Sequence, residues 1–188
     1  MATLAHGGAS ASSRPTPAVK AVAGVSAATV ARYTFAGVRI ALGWVFLWAF
    51  LDKLFGLGHE TTGQAAWING GSPTSGFLGH AAAGPFKGLY NDMAGAAWAD
   101  WLFMIGLAGI GIALILGIGM RIAATAGALL LVLMWSAVLP PANNPFMDDH
   151  LIYAGTLVGL ALMRAGDTAG LGRWWSRIPL VSRAPWLK

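Results

Sequence analysis

At 188 residues, 56% hydrophobic and only 10% charged, with a mean hydropathy of +0.64, the chain falls far short of the ~25% of ionic residues that solvate a typical globular surface. An integral membrane protein is expected. The absence of Cys excludes disulfides, thiolate metal sites, iron–sulfur ligation and a covalent cysteine intermediate within this chain. A net charge of +5 and a pI near 10.1 would point to nucleic acid in a soluble protein. Here the basic residues are sorted by position along apolar spans, and no nucleic-acid partner is expected.

Residues 1–31, rich in Ala, Ser, Gly, Thr and Pro, read as a flexible tail. A signal peptide is the competing reading, with Arg14 and Lys20 as its charged region and an Ala-rich core at 21–31. A bilayer core of about 30 Å takes roughly 20 mostly apolar residues as helix. Spans are predicted at about 33–55, 98–119, 121–139 and 145–165. The fourth has only 13 apolar residues between His150 and Arg164, so it is extended back to Asn144 as N-cap and Pro145 as first helical residue. Residues 57–97 form a long first connection. Ser72-Pro73 and Gly84-Pro85 read as helix starts there, and Trp67, Phe77, Phe86 and Tyr90 as apolar anchors. Residues 167–188 form a basic, Trp-rich tail suited to an anionic leaflet.

Charge sorting sets the orientation. With the N-terminus inside, Arg14, Lys20, Arg32, Arg121, Arg164, Arg173, Arg177, Arg183 and Lys188 lie on the cytoplasmic side, and only Lys53 and Lys87 lie outside. The expected fold is therefore all-α: a transmembrane four-helix up-down bundle in a bacterial plasma membrane, both termini cytoplasmic, roofed by short interfacial helices in the first outer loop. Small residues at helical spacing (Gly109, Ala113 and Gly117; Ala123 and Gly127; Gly155 and Gly159) are expected to let the helices approach closely.

Four constellations could carry chemistry. Arg39, about 10 Å along the helix from Arg32, is an intramembrane cation with no acid at matching depth. Such a residue marks a functional site or snorkels to lipid phosphates. Lys53 returns within about 40° of the Arg39 face, with Gly43, Phe46 and Phe50 between them. That face suits a flat ring such as quinone, or ordinary helix packing. At the outer end Asp148, Asp149 and His150 are expected to meet Asp52 and Lys53, with Tyr153 on the His150 face. This group could relay protons or simply close the bundle; adjacent rather than i, i+4 spacing argues against a metal. The stretch from Trp67 through Asn69, Gly70, Gly71 and Ser72 to Ser75 offers backbone N–H groups to an oxyanion, or an ordinary turn.

Residues 31–166 resemble the DoxX/DoxD family of small four-helix membrane proteins. The resemblance is carried by RIALGW at 39–44 running into FLDKLFG at 50–56, by WINGGSPTSGFL at 67–78 and by NPFMDDH at 144–150. It is nearest to the DoxD-like, large-subunit type of thiosulfate:quinone oxidoreductase. It implies oxidation of thiosulfate to tetrathionate outside the membrane, with quinone as electron-accepting substrate; the residues themselves offer no evident metal site and no haem-ligand His pair, so no bound metal or haem is expected. On this chain Lys53, Lys87 and the turn of Trp67, Asn69, Gly70, Gly71 and Ser72 would hold the dianion. Quinone would enter along Arg39, Gly43, Phe46 and Phe50, and Asp149, His150, Asp52 and Lys53 would be the candidates for catalysis. The resemblance also implies a partner, either a DoxA-like second subunit or a peripheral redox protein. No DoxA-like region follows in this sequence. The alternative role within the family is a DoxX-type, non-catalytic anchor or scaffold for a peripheral oxidoreductase complex.

Overall fold

A computed structural model describes residues 26–188; the expected tail or signal segment at 1–25 lies outside the described residues. Among the described residues the chain is all-helical, with no strand. In chain order the helices are α1 (Ala27–Phe55), α2 (Lys87–Met93), α3 (Ala97–Leu116), α4 (Met120–Ala137), α5 (Asp149–Leu162), α6 (Gly172–Trp175) and α7 (Pro179–Arg183). Of these, α1, α3 and α4 are long and apolar enough to cross a membrane.

The first span starts earlier than the sequence predicts. Ser26 Oγ accepts the Thr29 N–H at 3.2 Å, an N-cap that satisfies one of the orphan donors of a first turn. Residues 27–31, expected in the tail, are therefore helical. The 29 residues of α1 extend about 43 Å, against about 30 Å for the 20 of α3. Helix α3 ends at Gly117 and α4 begins three residues later. Gly117 (φ +72°) and Gly119 (φ +55°) supply the left-handed backbone that reverses the chain so abruptly.

The fourth predicted span is corrected at both ends. Helix α5 has 14 residues, about 21 Å at ~1.5 Å each, and is shorter than the long apolar three. Its N-cap is Asp148, whose carboxylate accepts from Leu151 N at 3.4 Å. Asn144 is engaged elsewhere: its Oδ1 accepts from Phe146 N (3.0 Å) and Met147 N (2.9 Å), an Asx turn that keeps Pro145 outside the helix.

One hydrophobic cluster joins four helices: Leu42 and Phe46 of α1, Leu107, Ile110 and Leu114 of α3, Ala124 and Leu131 of α4, and Leu157 and Leu160 of α5. Three of the glycines the spacing singled out make no close approach. A Cβ at Gly109, Gly155 or Gly159 would meet nothing within 4 Å. The tight seams lie at Gly43, where Ile115 and Leu114 of α3 sit within 3.0 Å of such a Cβ, and at Gly111, where the Leu47 backbone nitrogen sits 2.7 Å away. Gly117 and Gly127 are the exceptions among the predicted positions: the Arg39 guanidinium and the Gly166 backbone crowd the first, and Leu157 of α5 fills the space beside the second.

Each end of the bundle carries a cap. At one end, the roof, residues 56–96 wind through short turns at Gly63–Ala65, Trp67–Asn69, Phe77–Ala81 and Gly84–Phe86 before α2. Ala83 N donates to Ala137 O at 2.7 Å, and Trp67 meets Trp101 edge-on at 4.6 Å. At the other end, the base, residues 163–188 are folded rather than a simple tail. Leu171 N donates to Leu116 O (2.8 Å), Arg121 N to Lys188 O (2.8 Å) and Trp175 Nε1 to Leu187 O (2.7 Å). Val181 is buried beneath them.

Candidate functional site

The roof is held by a residue to which sequence reasoning assigned no role. Asp100, in the first turn of α3, is buried, and its Oδ1 accepts from Ser72 Oγ (2.9 Å), Thr74 N (3.1 Å) and Thr74 Oγ1 (2.6 Å). Thr74 Oγ1 accepts in turn from Gly95 N at 3.1 Å. The turn proposed as an oxyanion cradle does bind a carboxylate, the chain's own. Gly70 and Gly71 shape that turn, Asn69 Nδ2 donates to Gly63 O at 2.7 Å, and Trp67 stacks on α3, so this stretch is committed to closing the roof. A lone acid opening an otherwise apolar helix, with hydroxyls at 72, 74 and 75, was the signal available.

Among the described residues no hydrogen bond or ion pair joins Asp52 or Lys53 to Asp148, Asp149 or His150. Asp52 is buried and accepts from His59 N (3.3 Å) and Glu60 N (3.0 Å), fastening the chain as it leaves α1. Trp48 packs edge-on against His59 at 5.2 Å. His150 Nδ1 lies 2.7 Å from Asp148 Oδ2 and 3.6 Å from Asp149 Oδ1, within the start of α5. Ligand atoms of these three residues all lie within 4.8 Å of one another, so adjacency in sequence is no bar to their sharing a cation. The N-cap geometry of Asp148, with its extended backbone, folds its carboxylate back over the helix start. Tyr153 packs on the core cluster. Lys53 is half-buried and Lys87 exposed at the start of α2, and among the described residues neither makes an ion pair.

Arg39 is fully buried, which overturns snorkelling. Its Nη2 donates to Ala169 O at 2.8 Å, while Nε and Nη1 find no acceptor among the described residues. The guanidinium sits beside Gly117 and Gly170, level with the end of α3, so it belongs to the base and not to the middle of the bundle. The flat-ring slot predicted beside it is closed. Ile115 and Leu114 occupy the space Gly43 leaves, Phe46 is buried in the core, and Phe50 packs against it.

Open space lies instead between α3 and α4 beneath the roof. A cavity of about 270 Å³ is walled by Leu102, Phe103 and Gly106 of α3, Ala126 and Leu130 of α4, and Phe77 and Tyr90 of the roof. Its hydroxyl-bearing walls are already partnered. Thr74 is tied to Asp100, and the Tyr90 hydroxyl bonds Leu133 O at 3.1 Å and Ser136 Oγ at 2.5 Å. What remains is a hydrocarbon-lined space. Set beside known proteins, the chain matches no family model, no curated protein and no solved structure.

Proposed function

We propose that this chain is a multi-pass membrane protein of the DoxX/DoxD kind, with α1, α3, α4 and α5 as an up-down bundle, roof outward and both termini cytoplasmic in a bacterial plasma membrane. Its role is the membrane-integral subunit of a quinone-linked oxidoreductase whose donor chemistry a second polypeptide completes. In that reaction two thiosulfates join through a new S–S bond to give tetrathionate and two electrons, and quinone takes up those electrons with two protons. The bundle is supported by the single core shared by four helices and by the apolar side chains they leave exposed, among them Trp44, Leu102, Ile105, Leu129 and Ile152, which suit a lipid surrounding.

One observation carries the subunit role: three carboxylates at the roof end, Asp52, Asp100 and Asp148, are tied up in holding the chain's own backbone. Asp100 and Asp52 fasten the long connection, and Asp148 caps α5. A donor-binding and electron-carrying surface is then the partner's contribution. The family's anchor role is the second reading, favoured by the filled slot at Gly43. The test is thiosulfate-dependent reduction of a soluble quinone by the purified chain, alone and with co-purified partners. Turnover only with partners is expected. No turnover in either preparation retires the redox role and leaves the anchor.

A further inference from the structure

We infer that the cleft between α3 and α4 is a binding site for one hydrocarbon chain of a membrane-resident lipid. The inference rests on the bilayer reading of the bundle and not on its redox role. At about 270 Å³ the space is larger than the ~150 Å³ apolar cavity that stays dry and holds a benzene ring, so several methylene or isoprenoid carbons fit. Leu102, Leu129 and Leu133 line it and are also 67%, 59% and 46% exposed. Its mouth therefore opens sideways between two apolar helices, onto hydrocarbon in a bilayer. Only a ligand already dissolved in the membrane reaches it.

The chemistry of the wall selects a chain over a polar head. Thr74 Oγ1 is spent on Asp100 and the Tyr90 hydroxyl on Leu133 O and Ser136 Oγ. Beyond the Trp98 indole, which lines the cleft and is 58% exposed, a carbonyl or phosphate pushed inside would lose its hydration without a replacement hydrogen bond, which is costly. A hydrocarbon chain loses nothing polar and gains dispersion contacts along walls that would otherwise face a void. The small side chains at Gly106 and Ala126 open the cleft; a Cβ at Gly106 would meet no atom within 4 Å.

The test uses the full chain in nanodiscs holding either a phosphatidylcholine with a photoreactive acyl chain or an isoprenoid alcohol with a photoreactive tail. Labelled residues are mapped after illumination. Labelling concentrated at Phe103 and Leu130, and lost in both Gly106→Leu and Ala126→Leu while Ile112 and Ile152 stay labelled, is the expected result. Label from the acyl probe alone assigns the site to phospholipid, from the isoprenoid alone to a quinone-type tail, and from both to the chain as such. Labelling spread evenly over the outward-facing residues, or unchanged in both filled variants, overturns the site while leaving the bilayer reading standing. No label at Ile112 and Ile152 overturns the bilayer reading itself, and the cleft proposal with it.

Discussion

The seam between α1 and α3 and the seam between α3 and α4 are built from the same small residues and end up opposite in character. At Gly43 and Gly111 the facing backbone moves in until no methyl group fits. At Gly106, about 1.4 turns from Gly111 on the same helix, the neighbouring helix stays away and leaves a cavity. Small side chains permit close approach without compelling it. In a membrane, helices gain little from burying apolar surface against each other, and the crossing geometry decides which gap closes.

Breaking the closed seam should have the largest effect. Gly111→Leu drives a side chain against the Leu47 backbone, which cannot yield as a flexible side chain would. A cost above about 3 kcal/mol and loss of a monodisperse peak in detergent gel filtration are expected. The roof comes next. Asp100→Ala removes the acceptor of Ser72 and Thr74, costing about 2–3 kcal/mol. Limited proteolysis should then cut within residues 56–96, whereas Asp100→Asn, which keeps an acceptor oxygen, should protect that segment more fully. The open seam is the most tolerant. Gly106→Leu fills empty space and should raise the melting midpoint slightly, by the equivalent of about 0.5–1 kcal/mol. A melt that collapses in Gly106→Leu would mean that both seams are tight.

Much of this arrangement could be read from the sequence, for identifiable reasons. Apolar runs predict the three long helices, but the predicted 98–119 span runs straight through Gly117 and Gly119, whose left-handed backbone in fact makes the turn to α4. The start of α5 was missed because Asn144 and Asp148 are both good caps, and only the Phe146 and Met147 amides, already bound to Asn144, settle the choice. The burial of Arg39 was foreshadowed by its place within an apolar span. Its acceptor was not, since any residue's carbonyl would serve and Ala169 carries no distinguishing side chain. Asp100 was legible but read past, because an acid in a first helical turn already has a routine explanation in the helix dipole. The cavity left no trace: Gly106 looks like Gly109 and Gly111 until the helices are set at their angles.

The bond from Arg39 to Ala169 spans 130 positions of the chain. A ribosome adding ~5–20 residues per second needs roughly 7–26 s to make that stretch. Throughout that interval the first helix holds a cation whose eventual acceptor does not yet exist. Water, lipid phosphate or the insertion machinery must shelter it meanwhile, until residue 169 offers its carbonyl to Nη2. A ribosome stalled short of position 169 would thus hold the opening segment with one arm of its guanidinium still lacking the carbonyl that receives it.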